Sequence, residues 1–201
     1  MSTYDPMADP PELTILLLGD AEVGKSTYLS RLTLGSHTPT TTTTTDLPTL
    51  HDLDQPFIFD IKMYNRAYRF SFHDTSTPST YTLLRPDVII LCYSIASRPS
   101  LHSLQTHWNP LISTHFSPFD DSIPVIMLGL KRDLRREHDP GVVWPQEGVR
   151  VAQEMRCDRY CECSARTGEL CREVFEDVAK TAAMTTTREG GRTAPPPCVV
   201  Q

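Results

Sequence analysis

A basic face is the first thing this sequence lacks. Its 19 Lys and Arg are outnumbered by 25 Asp and Glu, for a formal net charge of −6 over 201 residues, and no stretch is dense in positive charge. Contact with a nucleic-acid backbone needs such a face, so no nucleic-acid partner is expected. Long apolar runs are missing as well. None approaches the length that spans a bilayer, and the first ten residues are polar, acidic and proline-containing, unlike a secretory leader. The expectation is a cytoplasmic protein, in which the six cysteines stay reduced rather than form a disulfide framework. Metal-ligand spacing is absent too. Cys157, Cys161 and Cys163 follow C-x3-C-x-C with no further His or Cys group to complete a zinc set, so packing is their expected role. No nucleophile elbow or metalloprotease helix occurs. His102, His107 and His115 have no carboxylate or nucleophile at a telling spacing and are expected to face solvent.

What is present is clustered. A chain of 201 residues, 39% hydrophobic, suits one α/β domain with tails and can bury a substantial core. The stretch Gly19-Asp20-Ala21-Glu22-Val23-Gly24-Lys25-Ser26-Thr27 fits the phosphate-loop pattern G-x-x-x-x-G-K-[S/T]. Glycines let the backbone wrap a polyphosphate with its N–H groups inward, Lys25 adds charge at the β/γ oxygens, and the Ser26 hydroxyl can ligate Mg2+. A bare match could be a chance turn before a helix. Here the apolar run 13–18 (LTILLL) precedes it and a helix over 26–34 can follow, which is the setting the chemistry requires.

Residues 1–11 read as a polar tail with Pro6, Pro10 and Pro11. Residues 36–55 form a long loop that includes the threonine run 40–45, a plain linker that can also carry a metal-ligating threonine. Runs 57–63 and 67–73 alternate about Tyr64-Asn65-Arg66, predicting a hairpin. Runs 88–94 and 125–130 read as buried parallel strands joined by a helix over 100–116. A helix over 146–155, a short strand over 160–164 and an amphipathic helix carrying Leu170, Val174, Phe175, Val178 and Ala182 complete the domain. Residues 185–201 are polar and rich in Gly and Pro.

In this order, Gly19 to Ser26, Asp74-Thr75, Lys131-Arg132-Asp133 and Ser164-Ala165-Arg166 each end a predicted strand, and together they resemble the sequence boxes of Ras-like small GTPases over residues 12–184. Glu162 to Thr167, Arg172 to Glu176, Trp108-x-Pro110 and Leu84-Arg85-Pro86 are similar to the Rho branch. The resemblance implies a P-loop G domain: a mostly parallel central sheet with one antiparallel edge hairpin and helices on both faces. It implies GTP or GDP and Mg2+ as ligands. Asp133 would accept from guanine N1 and N2, Lys131 would lie along the base, and the Ala165 N–H would meet O6, flanked by Ser164 and Arg166. Ser26, Asp74 and a switch threonine near Thr44 would serve the metal. Asp74 and Asp133 as plain surface carboxylates is the competing reading.

The chain ends in Cys198-Val199-Val200-Gln201, a C-a-a-X box whose Gln favours farnesyl. Expected partners are therefore a prenyltransferase, a membrane surface, most readily the plasma membrane, effectors, and exchange factors or a prenyl-binding dissociation inhibitor, with the protein itself a monomer. Departures from the family pattern bear on mechanism. Ala21 stands for the usual glycine, and Asp74-Thr75-Ser76-Thr77-Pro78 for Asp-Thr-Ala-Gly-Gln, so Pro78 replaces the water-orienting glutamine. Leu130 replaces the Asn or Thr before the Lys-x-Asp box. The segment from Pro78 to Val88 and that from Asp133 to Gln146 are both short. Three functions follow as expectations: a nucleotide-holding signalling module with poor hydrolysis, an ordinary cycling GTPase, and a nucleotide-free scaffold. The intact Lys25, Ser26, Asp74 and Asp133 favour the first over the last.

Overall fold

The computed structural model describes residues 10–35, 47–51, 54–63, 66–74, 81–116, 123–137 and 139–185. The threonine run with Thr44, the hairpin turn at Asn65, Thr75 to Pro78, and both tails, Cys198 included, lie outside the described residues.

The apolar run at 13–18 becomes the middle of the sheet. β1 (Glu12–Leu18) lies between β3 (Arg66–Asp74) and β4 (Val88–Ser94) and is parallel to both. Beyond β4, β5 (Val125–Leu130) and β6 (Arg159–Glu162) continue the parallel ladder. On the other side β2 (Phe57–Met63) pairs antiparallel with β3 and forms the edge, so the order is β2-β3-β1-β4-β5-β6. A mostly parallel sheet with one antiparallel edge hairpin is what the resemblance implies. Strands buried on both faces read as continuous apolar runs, and β4, in which every residue is buried, is the extreme case.

Alternation along the strands divides the core in two. Leu13, Ile15 and Leu17 of β1 and Val88, Ile90 and Cys92 of β4 pack on one face with Tyr28, Leu29 and Leu32 of α1 (Lys25–Gly35) and Val174, Val178, Ala179 and Ala182 of α4 (Cys171–Met184). Leu16, Leu18, Ile89, Leu91 and Tyr93 face the other way, against Leu101, Leu104, Trp108, Ile112 and Phe116 of α2 (residues 98–116) and Val151 and Ala152 of α3 (Pro145–Glu154). The cysteines follow the same division. Cys161 and Cys163 pack on the first face and Cys157 on the second, which keeps the apparent C-x3-C-x-C group from converging on one point.

Helix α2 differs from expectation in kind rather than place. It starts as Arg98–Ser103, widens to i→i+5 hydrogen bonding over Leu104–Trp108, returns to α geometry at Asn109–Leu111 and widens again over Ile112–Phe116. Pro110 is the cause: it has no N–H to offer the fourth residue back, and its ring crowds that carbonyl. The chain accommodates this by letting the Asn109 N–H reach back to the Leu104 carbonyl. His102 and His107 on this helix are exposed as expected, but His115 is half-buried with Nε2 3.2 Å from the Thr82 carbonyl oxygen. The last strand also ends earlier than predicted. Ser164 leaves the ladder because its N–H donates to the Glu169 carbonyl at 3.0 Å, closing the loop that follows.

From β1 the chain crosses to the edge strand β2 and returns as β3 beside β1, then crosses to the other side and moves outward through β4 and β5 to β6. A crevice therefore opens at the carboxyl ends of the central strands, where ligands bind in sheets of this kind. Every sequence-predicted site residue within the described regions lies at this edge.

Candidate nucleotide-binding site

The loop after β1 departs from the sheet through a position that only glycine can occupy. Gly19 has φ +145°, and a Cβ there would stand 2.2 Å from the Cys92 carbonyl oxygen on β4. Gly24 has φ +113°, and Glu22, at φ +62°, takes the left-handed conformation without being glycine. Lys25 then opens α1. The residue is only 6% exposed, and its ammonium folds back to donate to the Gly19 and Asp20 carbonyl oxygens, each at 2.9 Å. The loop is thereby curled around a buried cation at a helix N-terminus, an environment that favours phosphate. Ala21 and Glu22 are exposed on its rim, Val23 is buried beneath it, and Thr27 reaches the neighbouring cavity.

Ser26 and Asp74 come together from α1 and the end of β3, with the Ser26 hydroxyl donating to Asp74 Oδ2. The Asp74 backbone is held in turn by Gln55, whose Nε2 donates to the Asp74 carbonyl at 2.8 Å and whose Oε1 accepts from the Asp74 N–H at 3.0 Å. A hydroxyl and a carboxylate are hard oxygen donors that fit Mg2+ beside a phosphate site. The expected third oxygen, near Thr44, falls outside the described residues.

Beside the loop is a cavity of about 200 Å³ lined by Gly24, Thr27, Leu130, Lys131, Asp133, Leu134, Ala165 and Arg166. Lys131 takes the left-handed conformation at φ +60°, and its Nζ donates to the Glu22 carbonyl at 2.6 Å, laying the aliphatic stem between loop and cavity. Asp133 is oriented by the fully buried Ser164, whose hydroxyl donates to Asp133 Oδ1 at 2.6 Å. The Ser164 hydroxyl also accepts from the Thr167 N–H at 3.2 Å, so one side chain braces both the carboxylate and the turn. Leu130 is buried at 1% exposure, with Cβ and Cδ1 each 3.8 Å from where a Gly24 Cβ would be. The Leu130 side chain can offer the loop nothing beyond van der Waals contact here.

Several residues the sequence reading passed over complete the site. Arg31 of α1 donates from Nε to the Ala165 carbonyl and from Nη2 to the Arg166 carbonyl, both at 2.6 Å, which fixes the turn carrying Ala165. Gln55 of the 36–55 loop is another, through its two hydrogen bonds to the Asp74 backbone. Behind the cavity Arg135 donates to both Glu162 carboxylate oxygens, at 2.7 and 2.6 Å, and to the Val143 carbonyl. The hydrogen bonds to Glu162 raise the Arg135 pKa above its ordinary value. This ion pair closes the short segment between Asp133 and α3. A side chain reaching groups far away in sequence leaves no periodic trace, so none of these roles has a motif.

A model of the Ras family matches residues 14–184. The chain is also similar to the Ras-like GTP-binding protein RhoL of Drosophila melanogaster, with 31% identity over 177 residues that cover 85% of this chain and 87% of that protein. The matched region begins in β1 and ends with α4, and so contains the loop, the two carboxylates and the cavity described above. This chain belongs to the Ras family of small GTP-binding signalling proteins.

Proposed function

We propose that this protein is a Rho-like signalling GTPase that binds guanine nucleotide with Mg2+, hydrolyses GTP weakly and recruits effectors at membranes. The observation that carries the reading is the Asp133 carboxylate, held by Ser164 at a cavity between Lys131 and Ala165. Guanine presents a donor pair at N1 and N2 that a carboxylate accepts; adenine presents an acceptor at N1 and is refused. Lys25 and the α1 N-terminus would hold the phosphates, with Ser26 and Asp74 for the metal. Bound there, Mg2+ supplies charge on the phosphate oxygens. Support for the Rho branch comes from the RhoL likeness and from Leu84-Arg85-Pro86 and Trp108-x-Pro110.

The nucleotide released from freshly purified protein is expected to be GTP or GDP. Adenine nucleotide in its place would overturn the reading, as would ATP competing as well as GTP. Asp133→Ala is expected to abolish the preference for guanine. Affinity is expected to be lowered, because Leu130 offers no hydrogen bond where the family has a polar side chain, a loss of about 1–3 kcal/mol.

Membrane recruitment is proposed to rest on a farnesyl group at Cys198. The tail sets Arg188 and Arg192 against Glu189, so the lipid contributes nearly all the attraction, and one lipid gives reversible binding. An N-terminally tagged chain is expected to divide between membrane and soluble fractions, and Cys198→Ser to move it wholly to the soluble one. Equal membrane fractions would remove the anchor. Among the described residues, no helix is long and apolar enough to cross a membrane.

A further inference from the structure

Asp20 is a carboxylate in a loop suited to phosphate, and its side chain is not left to point at the ligand. Its Oδ1 accepts from the Trp108 indole Nε1–H at 2.8 Å and from the Ser103 hydroxyl at 2.7 Å. Both donors come from α2, and they are five residues apart. In an α-helix that spacing places two side chains about 140° apart. In a turn of i→i+5 hydrogen bonding it returns them to the same side. The widened turn over Leu104–Trp108 therefore brings two donors onto one oxygen. Trp108 is 6% exposed and meets Tyr81 edge-on with ring centroids 6.5 Å apart, so its indole is held in place. The Asp20 carbonyl meanwhile accepts from Lys25 Nζ at 2.9 Å. One loop residue thus links the phosphate-facing cation to the helix on the opposite face of the sheet from α1.

We propose that Trp108 and Ser103 are positioning residues of the nucleotide site: through Asp20 they set the phosphate loop and hold its negative charge away from the phosphates. The inference rests on the nucleotide-binding reading above. A carboxylate freed from its donors would repel the polyphosphate, so the effect of losing a donor must depend on the charge of Asp20. Packing of the indole alone would show no such dependence.

The test is dissociation of N-methylanthraniloyl-GDP from the full-length protein. Trp108→Phe is expected to speed release by on the order of tenfold, the loss of one charge-assisted hydrogen bond, and Ser103→Ala to speed it less. Asp20→Asn keeps the acceptor oxygen while removing the charge, and it supplies the second arm of the double-mutant cycle. In the Trp108→Phe or Ser103→Ala background, Asp20→Asn is expected to bring the rate back toward that of the unmodified protein, a non-additive result. Rates that remain within about twofold on losing either donor, or that Asp20→Asn does not restore, overturn the proposal. Ser103→Ala leaves the core untouched and carries the same test if Trp108→Phe does not fold. Should the unmodified protein bind no guanine nucleotide, the functional reading falls, and the loop inference is decided by inorganic tripolyphosphate. The chain has two tryptophans, so two indole N–H resonances are expected. Movement of the Trp108 signal but not that of Trp144 supports the proposal, and a Trp108 signal that does not move overturns it.

Discussion

At the scale of single residues, His73 and Gly148 make the plainest claims on stability. His73 lies on β3, half-buried, and burial lowers its pKa from the ordinary 6.5, with the Glu12 carboxylate opposing. The unfolded chain therefore takes up a proton near pH 6.5 while the folded chain waits for lower pH, so protonation favours unfolding. Stability is complete above that pH, falls as pH drops through it, and levels off below the folded pKa. Denaturation midpoints measured on either side of this window are expected to converge in His73→Gln; an unchanged difference would dismiss the effect. Gly148 on α3 faces Tyr160, and a Cβ would meet the tyrosine Oη at 2.1 Å and Cζ at 2.4 Å. That hydroxyl is within 2.8 Å of Tyr93 Oη and donates to Glu162, so it cannot withdraw cheaply. Gly148→Ala is expected to destabilise by about 1–3 kcal/mol through overpacking. Tyr160→Phe should rescue it only in part, since the ring carbon still collides.

Among the elements, α1 does two jobs: its first turn supplies Lys25 and Ser26, and Arg31 two turns later grips the Ala165 and Arg166 carbonyls. Arg31→Ala is expected to loosen that turn, seen as faster amide exchange over residues 164–168, and to weaken guanine-nucleotide binding. Arg31→Lys should restore neither, because a single ammonium lacks the planar fork that meets two carbonyls at once. Undiminished exchange protection in Arg31→Ala would refute the clamp. This helix also shows what was legible in the sequence. Its start was readable because the phosphate loop demands glycine at defined places, as the Cys92 carbonyl beneath Gly19 makes physical. The strands were readable because burial on both faces leaves unbroken apolar runs, and the hairpin because β2 alternates between buried and exposed residues. Arg31, Gln55 and Arg135 were not, since Arg31 and Gln55 reach backbone groups far away in sequence and Arg135 pairs with the distant Glu162 carboxylate. Nor was the widening of α2. From sequence an unbroken helix is expected across Pro110, whereas the widened turn carries Trp108 to Asp20, a contact with no local signal.

For the molecule as a whole, binding and hydrolysis are expected to separate. The fold hosts many activities, and the site decides among them. Holding nucleotide needs the loop, Lys25, Asp133 and the braced turn at Ala165, and these are gathered at one edge of the sheet. Hydrolysis needs a water placed in line with the terminal phosphate, and phosphoryl transfer in this class rests on positioning and electrostatics. At the position where the family has glutamine, Pro78 has neither a side-chain oxygen to accept from that water nor an N–H, and it biases Thr77 toward extended dihedrals. Thr77 is itself β-branched and stiff where the family has glycine. The Ala21 methyl is exposed on the loop rim, where it would crowd the approach of an activating protein's arginine. Hydrolysis is therefore expected to be very slow and not to respond to a Rho-type activating protein. Residues that act as a unit are not repaired one at a time, so Pro78→Gln alone should recover little. Single-turnover assays on GTP-loaded protein, with and without the activating protein, decide the matter. Turnover equal to that of an ordinary Rho protein would mean that the water is oriented by other residues, and the division between binding and hydrolysis would have to be given up.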